Sequence, residues 1–379
     1  MPKFINKIRP IIKKEFRQIK RDTRTVILLI FFPAFLLVLL GYAINFDVKN
    51  ASTVICDEDN SFESRKLIES FSNNEYFSIK KIITNRQEID KYLDDGYAKA
   101  AIIIPSYFSN SIKENKQVKM SVIIDGSDSN TGGAIVNYVA LVFQNYSTNL
   151  LLETSKRLGK NIFQPVELRS IVWFNPDLKT AKFLIPGLIA FILMIVSTIS
   201  TALSIVREKE RGNMEQLYVS PVSAFEIIIG KTIPYLLFGL IASTLVLFFG
   251  ILLFDITIKG NIFLLYFIIF LFVVGALGMG LFISAISEST QVAFMIATFA
   301  TLLPTFLLSG FIFPIKNMPV VLQIVSYIVP SKYFIVALRT LVLKGAGIAA
   351  FWEQVVFLAV FAVFMFSLST IIFVKGRTK

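Results

Sequence analysis

The 379-residue chain has no histidine and one cysteine, Cys56. The first absence removes zinc sites built on imidazole, histidine-centred triads and histidine proton relays. The second removes any internal disulfide, and a β-like run around Cys56 predicts a buried, inert thiol. No Gly-x-x-x-x-Gly-Lys-Ser/Thr loop occurs either. Gly230-Lys231-Thr232 comes nearest, but Phe225 stands where the first glycine is required. The polypeptide alone is therefore not expected to hydrolyse ATP, and no metal or cofactor is expected on it. Asp57, Glu58, Asp59, Asp125 and Asp128 do not follow calcium-loop spacing and read as solvated turns. Full charges are scarce inside the apolar runs, which argues against a pore ringed by charge.

What the chain does have is apolar length. Hydrophobic residues make up 55% of it, Phe alone occurs 37 times, and the mean hydropathy is +0.67. Six runs approach the length that crosses a bilayer: 26–44, 183–206, 232–254, 262–286, 292–313 and 355–374. The expected fold is an all-α six-helix transmembrane bundle with a soluble α/β domain inserted after the first helix. Residues 1–24 carry nine Lys or Arg against Glu15 and Asp22, and Lys375, Arg377 and Lys379 close the chain. Basic flanks stay cytoplasmic, so both termini are expected inside and residues 45–182 outside. The formal charge of +12 sits largely at these membrane flanks, where anionic lipid attracts it, and no base-reading motif accompanies it; no nucleic-acid partner is expected. Residues 1–24 alternate Ile and Phe with Lys and Arg near helical spacing, the pattern of an amphipathic interfacial helix.

Within 45–182, short β-like runs at 52–56, 76–83, 98–104 and 118–124 alternate with helical stretches, the longest from Asn130 to about Leu158. A run at 166–173 leads back to the membrane. Such alternation implies a mixed or parallel sheet covered by helices. In the spans, Ser197, Ser200, Thr201 and Ser204, and then Thr298, Thr301, Thr305 and Ser309, recur at helical intervals. They either line a mildly polar path or hold helices together, as do the small residues Gly275 and Gly278. Gly310, Pro314, Pro319 and Pro330 interrupt the segment 313–330, whose apolar parts are too short to span. It reads as a re-entrant hairpin at the outer side, buried in protein.

The most specific run is Arg207-Glu208-Lys209-Glu210-Arg211-Gly212-Asn213-Met214-Glu215-Gln216-Leu217-Tyr218-Val219-Ser220-Pro221, followed by Glu226 and Gly230-Lys231. Spacing alone gives a short surface helix in which Glu208 pairs with Arg211. Together with Asp57 to Ser61, Asp125 to Asn130 and Leu308 to Pro314, this run makes the chain resemble the permease subunits of ABC-2 type exporters. The likeness is to the bacterial multidrug-exporter-like form with a large extracytoplasmic domain after the first span, and it covers essentially the whole chain. The resemblance implies a coupling loop, residues 207–231, that contacts a separate nucleotide-binding ATPase subunit holding ATP and Mg. Arg207, Glu208, Lys209, Glu210, Arg211, Gly212, Glu215, Gln216, Pro221, Glu226 and Lys231 are its candidate residues. It also implies a second copy or a related permease, a periplasmic membrane-fusion adaptor as a further candidate partner, and a multi-pass place in the cell inner membrane. The expected function is ATP-driven export of a hydrophobic or amphipathic, drug-like or lipid-like substrate. The competing expectation is a non-transporting scaffold whose outside domain binds an envelope partner.

Overall fold

The computed structural model describes residues 2–43, 50–114, 116–157, 174, 180–212 and 222–377. By internal contacts the chain divides into Phe46–Ser170 and a second unit made of Met1–Asn45 with Ile171–Lys379.

The second unit begins with α1 (Pro2–Arg21), an amphipathic helix whose Ile8, Ile11 and Ile19 are buried. A short α2 (Thr23–Val26), a π-helical turn (Ile27–Phe31) and α3 (Phe32–Ala43) follow without a break. Pro33 offers no N–H, and the ladder loosens just before it: the Phe32 N–H donates to Ile27 O, five residues back. The expected first span is thus the apolar stretch Ile27–Ala43, shorter than the five spans that come later. These five are α8 (Thr180–Glu210), α9 (Ala224–Phe254), α10 (Ile262–Ile286), α11 (Thr290–Leu308) and α14 (Trp352–Arg377). All are long and apolar enough to cross a membrane.

Of the most apolar stretch of α8, 83% is buried inside the protein; for α14 the figure is 17%. A helix that is apolar all round and enclosed all round is a bundle's centre, so α8 is the axis and α14 faces the lipid. Small residues set the spacing around that axis. A Cβ on Gly280 would fall 2.4 Å from Thr198 O, so α10 and α8 approach as closely as backbones allow. Gly275 and Gly278 face α14 instead, with Phe361, Met365 and Phe366 against them.

After α11 the chain turns through Gly310, at φ +77°, into a 3₁₀ turn (Ile315–Asn317) and α12 (Val320–Ser326). It then bends by 80° into α13 (Pro330–Lys344), with Pro330 in the first turn. The interruption expected over 313–330 is present, and α13 extends it as a buried helix that the sequence pattern did not show. The α13 ring of Phe334 stacks on Phe272 of α10 at 4.0 Å. Arg339 holds this hairpin. Its guanidinium donates to the carbonyls of Phe183, Gly310 and Phe311 at 3.0–3.2 Å and lies over the Phe183 ring. Gly310 and Phe311 lie past the end of α11, where no intrahelical N–H reaches their carbonyls, while Phe183 lies in the first turn of α8.

The unit Phe46–Ser170 carries a four-stranded sheet of order β2-β1-β3-β4. β1 (Ala51–Asp57) pairs in parallel with β2 (Phe77–Ile83) and β3 (Ala100–Ile104), and β4 (Ser121–Ile124) runs antiparallel to β3. Helices α4 (Phe62–Ser72), α5 (Ile89–Asp94), α6 (Phe108–Lys113) and α7 (Ser129–Arg157) complete it. β3 is buried throughout, as a central strand covered on both faces must be. Asp57 accepts from the N–H groups of Asp59 and Asn60 and from the Ser64 hydroxyl, so the acidic turn closes on itself and leads into the Ser61 cap of α4. The hydrogen bond from the Ser127 N–H holds the Asp125 carboxyl below its usual range. Among the described residues no group of three acidic or thiol side chains could hold a metal. Cys56 is fully buried, and burial, then the charge of Glu58, push its thiol up. The expected run at 166–173 lies outside the described residues.

Candidate functional site

The charged run that closes α8 is not a free surface helix. Glu208 is only 3% exposed, and so is built into the protein. Lys231 of α9, 1% exposed, lies 2.6 Å from Glu208 Oε2, an ion pair slightly off the hydrogen-bond axis. The same ammonium donates to Glu15 Oε1 of α1 at 2.8 Å. Lys14, also on α1, donates to the other oxygen of Glu208 at 2.5 Å. Two ammoniums thus balance two carboxylates at the junction of three helices. The expected Glu208–Arg211 pairing gives way to partners that lie far away in sequence. Burying Glu15, Glu208 and Lys231 is tolerable only because they and the half-exposed Lys14 neutralise one another.

The rest of the motif serves the same junction. Ser223 and Glu226 form a reciprocal capping box at the start of α9, and Lys7 of α1 lies 3.9 Å from Glu226. Gly230 faces Ile11 of α1: a Cβ there would fall 2.8 Å from it. Glu226, Gly230 and Lys231 are therefore one face of α9 that receives α1, a role the spacing of the sequence did not reveal.

The two residues after Glu208 point elsewhere. Lys209 donates to Ser287 O, just past the end of α10, at 3.0 Å, a cation placed where the helix dipole favours it. Glu210 accepts from the Thr290 N–H at 2.6 Å, and from the Thr290 hydroxyl, at the start of α11. Three successive side chains on a helix diverge by about 100° each. Here they fasten the end of α8 to α1 and α9, to α10 and to α11. Arg211 and Gly212 follow, exposed, with Gly212 at φ +68°. Glu215, Gln216 and Pro221 lie outside the described residues.

Most hydroxyls of the spans divide into two groups; that of Thr298 on α11 is buried without a hydrogen bond and joins neither. Thr198 donates to Ala276 O of α10 and Thr201 to Ser197 O. On α11, Thr301 donates to Ala297 O, Thr305 shares a hydrogen bond with Ser331 of α13 at 2.9 Å, and Ser309 donates to Thr305 O. These are satisfied inside helix contacts. Ser200, Ser204, Arg207 and Arg211 instead line a cavity of about 510 Å³ with Tyr235 of α9 and Asp22, Thr25 and Leu28 from the start of the first span. Arg207 and Tyr235 were not expected there, although the 200-204-207-211 spacing marks one face of a helix.

Comparison with known proteins agrees with this architecture. Residues 23–371 match the family model described as ABC-2 family transporter protein. Over 364 residues the chain is 31% identical to the probable multidrug ABC transporter permease YbhS of Escherichia coli (strain K12), covering 96% of this chain and 95% of that one. It is 33% identical over 344 residues to the probable multidrug ABC transporter permease YbhR of the same strain, covering 91% and 92%. It is 28% identical over 310 residues to the inner membrane transport permease YhhJ, covering 80% of each. With its multi-span bundle, its inserted sheet domain and these matches over nearly its full length, the chain belongs to the ABC-2 family of transporter proteins, as a permease without an ATPase site of its own.

Proposed function

We propose that this chain is the membrane path of an ATP-driven exporter and moves a hydrophobic or amphipathic substrate out of the cytoplasm or inner leaflet. A separate ATPase subunit drives it through the segment 207–221, and a second copy or a related permease completes the path. Both termini are cytoplasmic, residues 45–182 are periplasmic, and the chain resides in a bacterial inner membrane. The names of YbhS and YbhR support drug-like cargo for them and, by likeness, for this chain.

The observation that carries the reading is the turn Glu208–Glu210. It fastens the end of α8 to α1, α9, α10 and α11 within one helical turn. Arg211 and Gly212, which follow it, are exposed and open to a cytoplasmic subunit. A push delivered to Glu208–Glu210 reaches four helices at once. Mg-ATP on the partner supplies the energy; this chain's residues receive the displacement and reorient around α8.

The test is assembly. Co-expressed with the nucleotide-binding ATPase subunit of its exporter, the wild-type chain should co-purify with that subunit and raise its ATP turnover. Charge reversal at the exposed Arg211, which leaves the buried ion cluster intact, should weaken both. Wild-type assembly and turnover in Arg211→Glu and in Glu215→Lys would remove the contact from this segment.

A further inference from the structure

One stripe of α8 changes character along its length. Leu193, Ser197, Ser200, Ser204, Arg207 and Arg211 follow one another at intervals of four and three residues and so share one face. The last four line the cavity of about 510 Å³ described above, a size within the range of roughly 300–1,000 Å³ usual for small-molecule sites. The first three line a void of about 10 Å³ that also touches Tyr235 and the apolar Leu29, Val196 and Leu277. Ser200 and Tyr235 border both, so the two spaces are neighbours: a roomy polar mouth and, above it, a closed apolar seam.

The polar side of the mouth is unbalanced. Neither guanidinium has an ion-pair partner among the described residues, and the Ser200 hydroxyl is buried without a hydrogen bond. The facing carboxylate, Asp22, already accepts from the N–H and hydroxyl of Thr25. Beside the mouth lies a second groove lined by Lys14, Arg17, Gln18, Arg21 and Asp22, so the approach is basic as well. Two planar cations with a spare hydroxyl donor suit an oxyanion, which guanidinium binds through paired hydrogen bonds. Beyond Ser200 only apolar atoms and Ser197 remain, which suits a hydrocarbon tail.

We infer that this mouth is the entry site for an anionic amphiphile, its phosphate or other oxyanion head held by Arg207 and Arg211 and its tail directed along α8 toward Leu193. The assignment narrows the substrate class of the exporter reading and rests on it for the word entry, while binding itself does not depend on any ATPase. In the present arrangement the tail's route is shut. The seam has room for about one water-sized group, so the tail advances only when α8 parts from α3 and α9, the helices that carry Pro33 and Tyr235.

The experiment uses the full-length chain in nanodiscs of phosphatidylcholine and radiolabelled dodecyl phosphate as the probe. Saturable binding is expected, with dodecyltrimethylammonium failing to compete and inorganic phosphate competing only at about a hundredfold higher concentration, because it lacks the tail. Arg207→Gln with Arg211→Gln should weaken binding by about tenfold or more, and Ser200→Ala by about threefold. The doubly conservative Arg207→Lys, Arg211→Lys chain keeps the charge and should retain most of the affinity. Arg211→Gln alone alters an exposed residue and covers the case in which the double variant fails to fold. Nanodiscs containing phosphatidylglycerol identify the source of the head: displacement of the probe points to a membrane lipid, and no displacement to a soluble amphiphile. Wild-type affinity in both Gln variants, equal binding of the cationic detergent, or equal competition by inorganic phosphate would each overturn the proposal. Loss of ATP-driven efflux with dodecyl phosphate binding intact would count against the exporter reading and leave the site standing.

Discussion

Replacing Lys231 with Met removes the ammonium that sits between Glu15 and Glu208 and changes little in volume. At 2.8 Å and an effective dielectric constant of about 20, each Lys–Glu attraction is worth roughly 6 kcal/mol before desolvation. The desolvation already spent on Glu15 and Glu208 is not recovered in the variant. Glu208 retains Lys14, whereas Glu15 keeps no cation, and its Oε2 is already buried without a hydrogen bond. Breaking a buried pair in this way costs about 3–5 kcal/mol. At about 2–4 °C per kcal/mol, the midpoint of thermal unfolding should fall by roughly 6–20 °C. The loss should localise to α1. Trypsin should cleave at Lys13, Lys14 and Arg17 about a hundredfold faster or more, since those bonds are cut only when the helix leaves α9 and each 1.4 kcal/mol is about tenfold. The decisive control is Lys231→Met combined with Glu15→Gln and Glu208→Gln, which removes the stranded charges and should restore most of the stability. A Lys231→Met chain with wild-type melting and wild-type proteolysis would refute the cluster. So would a triple variant no better than the single one.

Arg339→Met should strand the carbonyls of Gly310 and Phe311 and release the hairpin from Phe183, costing about 2–4 kcal/mol, with early protease cuts between α11 and α13; Arg339→Lys should fall between, and unchanged cleavage would show that the fork holds nothing. Gly230→Val should push Ile11 and α1 off α9 at about 1–3 kcal/mol, read as faster trypsin cleavage of α1, and Ile11→Ala in the same chain should recover part of it. For sidedness, Glu69→Cys in a Cys56→Ser background should react with an impermeant thiol reagent in intact cells and Arg9→Cys only after the membrane is opened; the reverse would invert the topology. The wild-type chain should hardly react in either state, because Cys56 is buried and its thiol is pushed up by that burial.

The long spans were legible because uninterrupted apolar length leaves few alternatives to a membrane helix. The sheet domain was legible because its strands are short apolar runs that alternate with helical stretches. α13 was not legible, because Lys332 and Arg339 dilute its apolar pattern. Both are answered locally in space, Lys332 by the Tyr327 ring at 3.6 Å and Arg339 by three carbonyls, and nothing in a linear pattern shows that. The charged run at the end of α8 was read as a surface helix, and Lys209 to Gly212 are exposed, but Glu208 is buried. A charged residue is exposed by default, and the partners that bury Glu208 lie on α1 and α9, with 194 positions between Lys14 and Glu208. The span hydroxyls could be read as path or as helix contact. On α11, Thr301, Thr305 and Ser309 went to contact, with Ser331 opposite Thr305, whereas Ser200 and Ser204 line the cavity without hydrogen bonds. Thr305 is fully packed, so Thr305→Leu would overpack its contact with Ser331.

The central claim is that displacement of the segment after α8 drives transport, and it is tested most directly in proteoliposomes holding this chain with its ATPase subunit. ATP-dependent movement of a fluorescent amphiphile should require both proteins. Glu210→Gln should leave insertion, assembly and ATP binding intact but uncouple hydrolysis from movement, because it loosens the one tie between α8 and the start of α11 that the charged run provides. Movement by the permease without ATP, or full coupling in Glu210→Gln, would contradict the account.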